Sequence, residues 1–256
     1  MAYQMLLGRF YLASNDFTVN DSGGADTLST TAGYYYPSGY SGDTQLCEHL
    51  QSVIRANGGV YTSATVTLSA ATGLITIDFA TGGTDITLNW TDTDLRNILG
   101  FTENQSGAKS DTATNQMRYV WRPTRSMSDH PVDLTEFWSP ATNTKLVRST
   151  DGTTYAIRGN EYNEATAEWQ YLPQADVITN SSTAYESLQE FYSDVIVKGQ
   201  SVRLLPDRTS YTSSSYKEAL IGLPDKSLGS FRDFCNRHIT SYNGLWSVSL
   251  PLAEYA

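Results

Sequence analysis

Histidine, cysteine and carboxylate at restricted spacings are the usual signals of chemistry, and in this chain they are scattered. There are three histidines, His49, His130 and His238. His49 follows Glu48 without the H-E-x-x-H spacing of a zinc hydrolase. His130 precedes Pro131, and His238 sits in Arg237-His238-Ile239. No two have metal-ligand spacing, so a surface or capping role is expected of each. Cys47 and Cys235 match no metal or redox pattern and are expected to be free thiols in a reducing cytoplasm. The nucleophile elbow, the P-loop and the dinucleotide fingerprint are absent. Asp92 and Asp94 are the most conspicuous close carboxylate pair, yet acids at a helix N-terminus stabilise the helix by themselves. Asp21, Asp26 and Asp43 lie near glycines without fitting an EF-hand loop. Carboxylates are numerous enough to keep a hydrolase such as a depolymerase open, on their number alone. The expectation is a non-enzyme with no catalytic, cofactor-binding or metal-binding residues.

Five tryptophans and 17 tyrosines offer a second kind of chemistry, a platform for sugars. Trp90 and Trp246 alternate with apolar residues in strand-like runs and read as core; Trp121, Trp138 and Trp169 stay open. Tyr34, Tyr35, Tyr36 and Tyr40 cluster in a Gly/Ser/Thr-rich stretch over residues 21–42 that reads as a loop. They are either a contact surface or aromatic packing beneath their own loop.

The elements that would position these groups are strand-rich. In 256 residues, 39% are hydrophobic, 12% aromatic and only 17% charged, a composition rich in Thr and Tyr that suits pleated surfaces and is not that of a disordered chain. The net charge of −10 lacks the basic stripe a general nucleic-acid binder needs. It serves solubility, or it repels DNA from the wall of a conduit. No apolar run approaches the roughly 20 residues of a membrane helix. Residues 1–12 do not read as a signal peptide, so a chain used without Sec-type export is expected.

Residues 3–19 read as extended, with Phe10, Leu12, Phe17 and Val19 as core. A helix follows, capped by Asp43, striped by Leu46, Leu50, Val53 and Ile54, and stopped by Asn57-Gly58-Gly59. Val66 and Leu68, then Ile75, Ile77 and Phe79, then Ile86, Leu88 and Trp90 alternate as a meander, with turns at Ala71-Thr72-Gly73 and Gly82-Gly83. A short helix carries Leu95, Ile98 and Leu99 and closes on Gly100 and Phe101. Residues 102–118 read as a linker or long loop. Beyond them lie a strand at 119–121, an apolar patch of Leu134, Phe137 and Trp138, and strands at 145–148 and 154–158 flanking the hairpin signal Asp151-Gly152. A strand at 168–172 stops at Pro173. A helix opens on a Thr183/Glu186 capping box, carries Tyr185, Leu188, Tyr192, Val195 and Ile196 with Phe191 at its edge, and ends at Gly199. Strands at 202–205 and 245–252 complete the chain. The expected fold is α+β and β-rich. Residues 1–101 form an antiparallel meander with two helices, and residues 119–256 a β-sandwich or split-barrel-like domain with one flanking helix.

The Gly39-Tyr40-Ser41 run, the first helix, the meander and the close Trp90-Thr91-Asp92-Thr93-Asp94-Leu95-Arg96-Asn97-Ile98-Leu99-Gly100-Phe101 together resemble a small α/β module of viral structural proteins. The C-terminal portion, with its flanking helix and aromatic-rich ending through Trp246 to Tyr255, is more loosely similar to distal tail and tail-tube-like proteins of tailed bacteriophages. The resemblance implies a virion tail component assembled in the host bacterial cytoplasm. It implies self-association into a ring of six or three copies that joins tail tube to baseplate. Its partners would be tube, hub and tape-measure proteins, with no sequence-specific nucleic-acid binding and no membrane. The alternative is a carbohydrate-binding or host-recognition module of the tail tip.

Overall fold

The computed structural model describes residues 5–21, 23–38, 45–69, 71–79, 86–125, 127, 139–142, 145–148, 154–157, 161–178, 187–205, 218–221 and 229–254. The fold is α+β and strand-rich, with antiparallel ladders throughout the named strands. Met5–Gly8 form β1 and Phe10–Leu12 form β2. β3 (Asp16–Asp21) and β4 (Gly24–Ser29) make a hairpin, and β5 (Gly33–Tyr35) pairs with β2. Two strands thus lie inside the stretch 21–42 that sequence punctuation reads as loop. Thr, Ser and Asp on an edge strand leave no hydrophobic alternation to detect.

Helix α1 (Leu46–Ala56) buries Leu46, Cys47, Leu50 and Ile54, the spacing of one helical face. Its expected cap, Asp43, and the Gly82-Gly83 turn lie outside the described residues. β6 (Thr65–Leu68) and β7 (Ile75–Asp78) pair as expected, while β8 (Ile86–Trp90) pairs with β3 instead of β7. Alternation marks which face of β8 is buried and is silent about its neighbour. Phe17 and Val19 of β3 stand opposite Trp90 and Leu88 and take up that apolar face. Helix α2 (Thr93–Leu99) closes as read: Gly100 has φ +85°, and the Phe101 N–H reaches back to the Arg96 carbonyl at 3.1 Å. A side chain at Gly100 would meet the Asn115 carbonyl at 2.1 Å, so only glycine allows that approach.

Residues 102–118 are not a linker. They contain β9 (Gln105–Ala108), paired with β8, and β10 (Ser110–Thr112), paired with β7. Ala113 and Met117 are buried in the same core as α1 and α2. The backbone ladder is satisfied by any sequence, so polar strands of this kind leave no hydropathy signal.

The remaining strands are β11 (Val120–Trp121), β12 (Ser139–Thr142), β13 (Lys145–Arg148), β14 (Thr154–Ile157), β15 (Glu161–Pro173), β16 (Val202–Leu205), β17 (Glu218–Ile221), β18 (Ile239–Tyr242) and β19 (Leu245–Glu254). The large sheet runs β11-β1-β16-β17-β19-β15-β12, with β18 also on β19, and does not close into a barrel. β13 and β14 form the expected hairpin, whose Asp151-Gly152 turn is outside the described residues, as are Thr183, Glu186, Leu134, Phe137, Trp138 and Tyr185. The flanking helix begins with α4 (Leu188–Phe191), preceded by the short α3 (Gln174–Val177), and continues as a π-helical turn, Tyr192–Ile196. The capping box described there is Ser187 with Glu190. A further helix, α5 (Phe231–His238), carries its own capping box, Ser230 with Asp233. Its apolar residues are few among Arg232, Asp233 and Arg237, which hides its periodicity. Asn243 and Gly244, both at positive φ, turn β18 into β19.

β1 belongs to the large sheet, paired with β11 and β16, rather than to the first module. Leu6 packs in one core with Trp121, Trp169 and Val195, while Met5 and Leu7 pack in the other with Phe10 and Leu50. Gly8 ends the strand where a Cβ would lie 2.3 Å from Val195 Cγ2. Gly8→Ala is therefore expected to lower stability by about 1–3 kcal/mol, and Val195→Ala in the same chain to recover part of that loss. Urea unfolding of the wild type, both single variants and the double variant checks it.

Candidate interaction surface

The residues with catalytic potential are kept apart. His49 Nε2 accepts from the Thr31 backbone N–H at 3.1 Å, and its ring lies against Tyr35. His238 sits at the end of α5 beside Phe234, where burial above all lowers its pKa from 6.5 and favours the neutral ring. His130 is outside the described residues. Cys47 is buried and Cys235 half-buried, and in both burial pushes the thiol pKa up, away from the reactive thiolate. Asp92 Oδ2 accepts from the Asp16 N–H at 2.8 Å, joining α2 to β3, while Asp94 points outward. No group of three or more His, Cys, Asp or Glu side chains gathers as a metal site among the described residues. Of the tryptophans left open, Trp121 and Trp169 are buried and meet edge to face at 4.8 Å. Trp90 is buried as expected, and Trp246 packs half-buried against the second core.

A different set of residues comes together on the surface, around β2 and β5. Tyr11 and Tyr34 stand opposite each other in register, 5.3 Å between ring centroids, and are 58% and 49% exposed. Tyr35 and Tyr36 are buried, the internal packing that was one of the two readings of the tyrosine run, whereas Tyr34 is exposed and Tyr40 lies outside the described residues. Arg9 lies 4.7 Å over the Tyr34 ring, within cation–π range. On the other side of Tyr11 opens a cleft of about 270 Å³, lined by β2, by Asp94, Asn97 and Ile98 of α2, and by Arg118 and Tyr119. Tyr119 holds a left-handed backbone, φ 65°, and stacks flat on Phe10 with centroids 4.3 Å apart. Its carbonyl accepts from the Gly8 N–H at 2.8 Å, fixing the turn to β1. Arg118 pairs with Asp194, which also meets Lys198 at 3.5 Å.

The floor of the cleft is set by Asn15. Its Oδ1 accepts from the Leu95 N–H at 3.2 Å and its backbone N–H donates to Thr30 Oγ1 at 3.0 Å, fastening α2 to the base of the β3–β4 hairpin. The far end of that hairpin is acidic. Asp21 Oδ1 accepts from the Gly23 N–H, and Asp26 Oδ2 accepts from Asn57 Nδ2. Burial, then the nearby carboxylates of Asp21 and Asp26, push the Tyr61 hydroxyl up to about 12. Of these surface residues, sequence reading singled out Tyr34 as aromatic and Asp21, Asp26 and Asp94 as acids, and it missed Arg9, Tyr11 and Arg118. Arg9 and Tyr11 sit in a run that registers as strand, where Tyr11 falls on the face opposite Phe10 and Leu12. A second exposed aromatic group, Tyr171 and Tyr242 with Leu245, lies where β15, β18 and β19 meet.

No protein-family model, curated protein or solved structure matches the chain.

One buried acid bears on stability. Asp111 of β10 is 7% exposed, and its Oδ2 has no partner among the described residues. Burial raises its pKa above 3.8, so the folded protein takes up the proton before the unfolded chain does. The ionised form thus costs stability at neutral pH, and the cost is relieved as pH falls through the folded-state value. Asp111→Asn is expected to stabilise the protein at pH 7 by about 1 kcal/mol. The gain should shrink as pH approaches 3.8, which thermal midpoints measured across that range would follow.

Proposed function

We propose that this protein is a non-enzymatic structural subunit of a bacteriophage tail, forming a ring of six or three copies that connects the tail tube to the baseplate. The observation that carries the reading is an unshielded strand edge next to an aromatic surface. β4 pairs only with β3 among the described residues and is exposed along almost its whole length. Unpaired backbone groups on such an edge suit pairing with a neighbour. Tyrosine and arginine are the residues enriched where proteins meet, and Arg9, Tyr11 and Tyr34 present them together. The β13–β14 hairpin, a two-stranded sheet separate from the large one, offers a second reach towards other subunits. The likeness of residues 90–101 to a viral structural module supports the same reading, and so does the composition. The virion is then the place of action, with tube, hub and tape-measure proteins as partners.

The cleft favours a second reading, a carbohydrate-binding module. Exposed Tyr11 beside Asp94 and Asn97 combines an aromatic face with hydrogen-bonding groups, as saccharide sites do. Light scattering and negative-stain electron microscopy of the purified protein separate the two. Discrete rings, and antibody labelling at a fixed height along virion tails, are expected. A protein that stays monomeric at every concentration and is absent from particles would sink the tail reading, and glycan-array binding by that monomer would favour the other.

A further inference from the structure

We infer that the exposed face where β15, β18 and β19 meet binds a strand of uncharged polysaccharide, with Tyr171 and Tyr242 stacking against its sugar rings. This site is separate from the Tyr11 cleft and independent of the ring reading.

The backbone at Tyr171 is the first sign. Trp169 pairs with Val248 and Leu172 with Trp246, so Gln170 and Tyr171 of β15 stand against Ser247 alone. Regular alternation would send Tyr171 to the same side as Trp169, into the second core. The extra residue reverses that. Leu172 is buried in its place, and Tyr171 turns out to solvent, 59% exposed. The outward turn needs a left-handed backbone at Tyr171, φ 61°. That conformation is disfavoured for an aromatic residue and free for glycine. A ring so exposed gains little from the fold in return, and strain of this kind collects where a side chain serves a ligand.

The neighbours of Tyr171 suit a sugar. Cross-strand partners share a side of the sheet, so Pro173, Leu245 and Tyr242 form one row on the side away from Leu172 and Trp246. Tyr242 is 80% exposed. Thr240 and Ser247 occupy the next row, level with Gln170 and Tyr171. The two tyrosines flank β19, two strand spacings or roughly 10 Å apart, and can hold separate rings of one chain. A sugar ring offers C–H groups on its faces and hydroxyls around its edge. The tyrosines supply flat apolar surface on rigid strands, while the hydroxyls of Thr240 and Ser247 and the Gln170 amide supply donors and acceptors.

Charge and size select the occupant. The chain has 27 acidic and 17 basic residues, yet these two rows contain neither kind. One row further along, Glu168 accepts from the Ser249 hydroxyl at 3.2 Å. An acidic polymer or a phospholipid headgroup finds no countercharge in the two rows. A protein partner needs roughly 20–30 residues a side, far more than they provide.

Affinity electrophoresis of the full chain tests the site, with dextran, mannan or galactan in the gel and alginate as the acidic control. The wild type is expected to be retarded by at least one neutral polymer and not by alginate. Tyr171→Gly should weaken that retardation by about tenfold while its thermal midpoint stays at or above the wild-type value, because glycine suits the left-handed position. Tyr242→Ser should weaken it similarly with an unchanged midpoint, and Tyr171→Phe should keep it. If Tyr171→Gly melts below the wild type, Tyr242→Ser carries the test alone. No retardation by any neutral polymer, or retardation by alginate alone, overturns the site. Retardation that survives both tyrosine variants and is lost with Tyr11→Ser puts the sugar in the cleft instead. Self-association lost in the same two variants, with no retardation in the wild type, makes the face a subunit contact.

Discussion

Both hydrophobic cores close over the same four residues. Met5 to Gly8 have no solvent side: Leu6 faces Trp121 and the flanking helix, and Met5 and Leu7 face α1 and the small sheets. Full burial of each such side chain contributes about 1.5–3 kcal/mol, so one short strand binds two bodies of structure together. The close approach of Gly8 to Val195 follows from that double burial, because a strand packed on both faces leaves no room for a further carbon. The surface follows too. Arg9 is the next residue, its N–H held by the Ser201 carbonyl at 2.8 Å, and the Gly8 N–H fixes Tyr119 on the neighbouring turn. The position of the patch and of the cleft wall is thus inherited from β1.

The second constraint is the ending of α2. The left-handed Gly100 turns the chain so that Asn115 can lie against it, and the carbonyls of Gly73, Ile98 and Gly100 then accept from the N–H groups of Met117, Arg118 and Asn115. Residues 102–118 leave the helix, add β9 to the β4-β3-β8 strands and β10 to the β7-β6 strands, and return to deliver Arg118 and Tyr119 to the cleft. Ser106, Ser110 and Thr112 in those strands face outward, Asp111 is buried, and the backbone groups complete the ladders. Asn15 does the corresponding service from the other direction, joining α2 to the hairpin. The cleft is therefore a consequence of three local hydrogen-bonding arrangements that converge, with no residue conspicuous for chemistry among its supports.

Much was legible in the sequence alone. The stripe Leu46, Leu50, Ile54 determined α1, the alternations around Ile75 to Phe79 and Ile86 to Trp90 determined which faces are buried, and Leu99-Gly100-Phe101 determined a helix end. The α+β, strand-rich class and the core positions of Phe10, Leu12, Phe17 and Val19 were readable for the same reason: period and capping are local properties of the chain. Even the two-sided burial of β1 had a trace, the unbroken run Met5-Leu6-Leu7. The tertiary structure alone decided which strand pairs with which, since ladder hydrogen bonds are indifferent to side chains. It moved β8 to β3, drew residues 102–118 into the β4-β3-β8-β9 and β10-β7-β6 sheets and placed β1 in the large one. It also decided the surface. Arg9, Tyr11, Tyr34, Arg118 and Tyr119 come from three separate stretches of chain, and only the shared burial of β1 brings them side by side.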